Sequence, residues 1–129
     1  MAIKVNVVAK SNPLDKEAPS KFYANAVHGK RVNLEEMSKK IAKRCSLREG
    51  DVYGVLIQMM VIFTEEVSEG NIVSLGELGS FWLNLSSQGA ETPNNLTQSM
   101  IKGCRLIYKP TKELRKQLRL VDVSIPTAS

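Results

Sequence analysis

The stretch that decides the fold runs from Gly70 to Pro110 and opens Gly70-Asn71-Ile72-Val73-Ser74-Leu75-Gly76-Glu77-Leu78-Gly79-Ser80-Phe81. Turn residues flank short apolar pieces, the pattern of a strand, a tight turn and a second strand. A polar segment follows, Ser86 to Ser99, and then an apolar return, Cys104-Arg105-Leu106-Ile107-Tyr108-Lys109-Pro110. The spacing predicts a hairpin whose second strand leaves as a two-stranded arm and comes back.

Immediately upstream, only Gly54 and Gln58 interrupt Val, Tyr, Leu, Ile, Met and Phe between Val52 and Phe63. Ser46, with Glu49 three residues on, reads as a capping box for this helix. Gly70 supplies its stop after about Glu69. A helix apolar on every side must be covered on every side. One short helix and one small sheet cannot do that within a single copy, so an obligate, interdigitated homodimer is expected. Ahead of it, Asn33 and Glu36 cap a shorter helix carrying Leu34, Met37 and Ile41 at helical spacing. After the arm, Pro110-Thr111 starts a third helix, Lys112 to about Leu118. Leu114 and Leu118 form its apolar edge, and Lys112, Arg115, Lys116 and Arg119 face out.

Ile3, Val5 and Val7 alternate with Lys4, Asn6 and Val8 as a strand does. Ser11 to Ser20, with Pro13 and Pro19, reads as a loop. Phe22 to Val27 is a second strand candidate closed by His28-Gly29, where His28 is a turn residue. Leu120 to Ile125 alternates likewise and is a plausible third strand, because two strands alone are marginal in water. The fold class is therefore α+β.

At 129 residues the chain is one domain with a small appendage. No apolar run reaches about 18 residues, so no membrane span is expected. The N-terminus lacks a basic-then-apolar signal, and nothing directs export. Cys45 and Cys104 are too few for a disulfide framework, and no Cys/His cluster suggests zinc. The single His has no Cys or Ser partner near it in sequence, and Gly76 to Gly79 sits between strands, not at a helix N-terminus that could cradle phosphate. An enzyme, a cofactor and a small-molecule substrate are not expected.

The net charge of +5 is unevenly placed. Residues 1–33 balance to +4 and residues 102–129 to +5, whereas residues 71–101 hold Glu77 and Glu91 and no cation. Localised basicity at the two ends is what an anionic partner needs.

The order of helix, turn, long apolar helix, Gly-rich hairpin, arm, return strand and short basic helix resembles the HU/integration host factor family of bacterial DNA-bending proteins. Val73-Ser74-Leu75-Gly76-Glu77-Leu78-Gly79-Ser80-Phe81 is similar to the family's Gly-Phe-Gly-Thr-Phe hairpin with its preceding strand. Leu106-Ile107-Tyr108-Lys109-Pro110-Thr111 is similar to its return strand and Phe-Lys-Pro-Gly ending. The resemblance covers residues 33–119 as the HU-like DNA-binding domain. Residues 1–32 form an N-terminal strand extension and residues 120–129 a C-terminal strand and tail, as in a divergent HU-like branch.

The resemblance implies an intertwined homodimer with a helical base, whose arms wrap the minor groove while a Pro at each tip wedges between base pairs. It implies a nucleoid-associated protein of the cytoplasm that binds duplex DNA with little sequence preference, since phosphate contacts carry no base information. The arm departs from the pattern. Glu91-Thr92-Pro93 stands where the family has Arg-Asn-Pro, and no cation lies between Phe81 and Ile101. Pro93 matches the wedge or is an ordinary turn proline. The expected DNA contacts therefore move to Lys102, Arg105, Lys109, Lys112, Arg115, Lys116 and Arg119, unless these are simply a solvated face. Lys4, Lys10, Lys21, Lys30 and Arg31 form a second candidate set. Trp82 either packs in a core or dimer contact or stacks on bases. The alternative to DNA binding is an HU-fold dimer that has lost wrapping and serves protein association through its polar arm and added strands.

Overall fold

The computed structural model describes residues 2–126. The chain divides into two compact units, one of residues 32–115 and the other of residues up to Arg31 together with those from Lys116 onward.

In the larger unit, helix α1 (Leu34–Ala42) starts as expected, with the Asn33 side chain accepting the Glu36 amide at 2.9 Å. Ser38 is fully buried, and its hydroxyl donates to the Leu34 carbonyl at 2.7 Å, so the polar atom is satisfied within α1. Helix α2 (Glu49–Ser68) corrects the expected capping box. Its N-cap is Arg48, without a side-chain bond, and Ser46 lies in a bend ahead of it. Glu49 is the first helical residue instead of the third; with Asp51 it places negative charge at the positive end of the helix dipole. The C-terminal stop forms as expected. Gly70 takes a φ of +87°, and the Gly70 and Asn71 amides donate to the Val67 and Glu66 carbonyls at 3.0 and 3.1 Å.

Strands β3 (Val73–Ser74), β4 (Ser80–Ser87) and β5 (Ile101–Lys109) form one antiparallel sheet in that order. The turn between β3 and β4 is a short 3₁₀ segment, Gly76–Leu78, followed by Gly79 at φ +130°. A Cβ on Gly79 would collide with the Lys109 carbonyl oxygen and come within 2.9 Å of the Pro110 Cα, so only glycine fits. Around it the Tyr108 hydroxyl donates to the Leu78 carbonyl at 2.7 Å, and the Thr111 hydroxyl donates to the Glu77 carbonyl. Phe81 stacks on Tyr108 at 4.8 Å and meets Phe63 of α2 edge-on at 5.1 Å, which fastens the sheet to the helix. Regular pairing of β4 with β5 ends at Ser87 and Ile101. The loop between them contains two 3₁₀ turns, Pro93–Asn95 and Gln98–Met100.

In the smaller unit, β1 (Ala2–Lys10) lies between β2 (Lys21–Ala26) and β6 (Asp122–Ser124). This is the three-stranded sheet the alternation predicts. Strand β6 runs parallel to β1 and pairs only with Ala2 to Lys4, which alternation alone does not determine. Helix α3 (Lys112–Arg119) begins in one unit and ends in the other. The Leu114 amide donates to the Thr111 hydroxyl oxygen at 3.2 Å, so Thr111 caps α3.

Candidate nucleic-acid interface

Side chains alternate across a strand, so the register assigns each residue of the arm to a face. Ser80 opposes Lys109, Trp82 opposes Ile107, and Asn84 opposes Arg105, which puts Arg105 and Lys109 on one face with Trp82 between them. Phe81, Leu83 and Leu85 oppose Tyr108, Leu106 and Cys104 on the other face, the one turned to Phe63. The pairing skips Lys102 between Gly103 and Ile101, so Lys102 is the bulged residue of β5. The bulge interrupts the alternation there, so Lys102 lies outside the regular ladder that places Arg105 and Lys109 together. Of these three cations, the regular pairing brings only Arg105 and Lys109 together on one face.

On α3, Lys112, Arg115, Lys116 and Arg119 follow the i, i+3, i+4, i+7 spacing and share one stripe, with Leu114 half-buried on another side. Among the described residues none of the seven cations makes an ion pair, so their charge is available to an anion. Pro93 is exposed and is the first residue of its 3₁₀ turn, where the Leu96 amide donates to its carbonyl at 3.4 Å. Its loop carries Glu91 and no cation, so Pro93 stands apart from the charged residues in chemistry and in position.

Trp82 and Asn84 are the residues that sequence reasoning undervalued. Trp82 is half-buried, yet it belongs to the Arg105/Lys109 face and not to the Phe81 face. The signal was available in the parity of the hairpin, but only once the bulge and turn had fixed the register. Of the second set, Lys4, Lys10 and Lys21 lie on the N-terminal sheet, while Lys30 and Arg31 fall after it. No cluster of three or more His, Cys, Asp or Glu that could hold a metal occurs among the described residues. No helix there is long and apolar enough to cross a membrane.

Three helices, two small sheets and a hairpin tied back onto the long helix define an α+β fold of the HU type. The chain belongs to the HU-HIG family, described as an HU domain fused to a wHTH, Ig or glycine-rich motif, which it matches over residues 1–124. Among solved structures it is similar to a protein of Bacteroides vulgatus ATCC 8482 provisionally described as a bacterial DNA-binding protein. That similarity has a TM-score of 0.66 at 14% identity and covers 96% of this chain and 47% of the other, so this chain spans about half the length of that protein. It is also similar to Anabaena HU in a cocrystal with DNA, with a TM-score of 0.55 at 19% identity over 69% of this chain and 99% of that one. At these identities the likeness is one of fold. No curated protein sequence matched the chain.

Proposed function

We propose that this chain is a dimeric, non-enzymatic architectural protein of the cytoplasmic nucleoid that binds duplex DNA with little sequence preference. Its contacts are Lys102, Arg105, Lys109, Lys112, Arg115, Lys116 and Arg119, carried by the HU-like part of the chain, residues 33–119. The observation that carries this reading is the run of unpaired cations on β5 and along one stripe of α3. Phosphate neutralisation by such residues releases counterions and needs no base readout.

The dimer rests on exposed apolar surface. Only Val52 and Val67 of α2 are buried, while Val55 is 61% and Ile62 53% exposed. The described chain exposes 11,371 Å². A folded monomer of this mass exposes about 6,800 Å², and two separate bodies of the same total mass only about 8,000 Å². The apolar side chains of α2 are the part of this excess that a second copy would cover. Ile62→Glu is expected to abolish the dimer in light scattering, because a carboxylate would be buried unpaired. A wild-type monomer would remove the basis of this reading.

The DNA test is a random-sequence duplex titrated at several salt concentrations. Affinity should fall by about 0.9 log unit per log unit of salt for each phosphate contacted. Arg115→Glu/Lys116→Glu should weaken binding at least tenfold; unchanged affinity would refute the site. Pro93→Ala separates a wedge, whose loss reduces the bend, from a turn residue, whose loss leaves the bend unchanged.

The cation-free loop between β4 and β5 favours a second reading, an HU-fold dimer that associates with other proteins. No mobility shift at micromolar protein and low salt, together with partner capture through the loop, would favour that reading over DNA binding.

A further inference from the structure

The N-terminal sheet has two chemically different faces. The register places Ile3, Val5 and Val7 on one face with Ala24, Ala26 and Val123. The other face carries Lys4, Asn6, Val8 and Lys10 of β1 with Lys21, Tyr23 and Asn25 of β2, and at its Lys4 end Asp122 and Ser124 of β6. On it, Lys10 and Lys21 are direct cross-strand partners. Like charges placed opposite one another on a sheet destabilise it. Here no acid relieves them: neither lysine makes an ion pair among the described residues.

The pair instead borders a concavity where the hairpin meets its loop, lined also by Tyr23, Ser11, Asn12 and Pro19, and no acidic residue lines it. Lys10 Nζ lies 5.6 Å from the centre of the Tyr23 ring, a cation–π contact that holds one ammonium at the rim. The loop acid Asp15 is engaged with the loop's own backbone, its carboxylate accepting the Glu17 amide at 3.1 Å. An anion seated between Lys10 and Lys21 would turn their repulsion into attraction. Asn6 and Asn25 add neutral donors along the same face. Lys4 stands six residues along β1 from Lys10, about 20 Å at strand rise. At about 3.4 Å of duplex axis per phosphate on each strand, that span reaches about six phosphates.

We propose that this face is a phosphate-binding surface for the nucleic-acid backbone, centred on Lys10 and Lys21 and extended by Lys4, separate from the 102–119 cations. It rests on the DNA-binding reading above and deepens it: the N-terminal extension supplies phosphate contacts of its own.

The test uses the full chain, with Lys10→Gln/Lys21→Gln beside the wild type, both checked for folding by circular dichroism. Binding to a random-sequence duplex is measured across salt, and backbone amide shifts are followed during the same titration. The expected result is a salt slope shallower by about 1.8, two phosphates at about 0.9 each. Wild-type shifts are expected at Ser11, Asn12, Lys21 and Tyr23. An unchanged slope, with shifts confined to residues 102–119, overturns the second surface and leaves the first standing. No binding and no shift anywhere overturns both. An equal response to inorganic phosphate at matched phosphate concentration overturns the assignment to a duplex.

Discussion

The two sheets carry comparable charge but are anchored differently. The β3-β4-β5 sheet is fixed by Phe81 between Phe63 and Tyr108 and by side-chain bonds from Tyr108 and Thr111 to the Glu77-Leu78 turn. The β2-β1-β6 sheet has a single buried apolar side chain, Val5, and relies on its backbone ladder. Arg105 and Lys109 therefore sit on a braced platform, whereas Lys4, Lys10 and Lys21 sit on a light one. Preorganised cations lose less freedom when they meet phosphate.

Three substitutions probe that difference. The largest effect is expected for Gly79→Ala, which combines a positive-φ strain with a collision against the Lys109 carbonyl. It should destabilise the larger unit by about 2–4 kcal/mol in chemical denaturation. A loss below 1 kcal/mol would mean that the turn is not pinned to β5. Val5→Ala removes two carbons from the lighter sheet and should cost about 1.6 kcal/mol. Amide exchange should speed up on β1 and β2 while β4 and β5 stay protected; uniform loss in both sheets would erase the contrast. Tyr108→Phe deletes one hydrogen bond at a partly exposed site and should cost about 0.5–1 kcal/mol, with the ring stack retained. A cost above that of Gly79→Ala would show the turn to be more dependent on that hydroxyl than on Gly79.

Much of this architecture is legible in the sequence because local rules and tertiary packing agree. Asn33 caps α1 where the Asx capping pattern puts it, and Gly70 ends α2 because only a positive φ lets two amides turn back onto the helix. The Ser46-Glu49 pair had the same form but failed, since Cys45 to Leu47 bend before the helix begins and Glu49 comes first. A capping motif specifies spacing, and it cannot say which of two nearby turns the chain will use. The candidate site was legible in its residue types, less so in its geometry. The exclusion of Lys102 from the regular ladder depends on a bulge, and the facing of Lys10 with Lys21 depends on the length of the loop between them. Both are pairing facts, which composition and periodicity do not encode.

The parallel pairing of β6 with the start of β1 also has a kinetic side. Joining Ala2 to Asp122 closes a chain segment of about 120 residues, at an entropy cost near 4 kcal/mol before any constant term. The sheet edge offered by Ala2 to Lys4 is thus the last to find its partner. During synthesis at about 5–20 residues per second, that edge waits about 6–24 s for Asp122 to emerge. Over this interval the β1–β2 hairpin stands as a two-stranded ribbon with an open side, the state in which this chain is most exposed to pairing with the wrong strand.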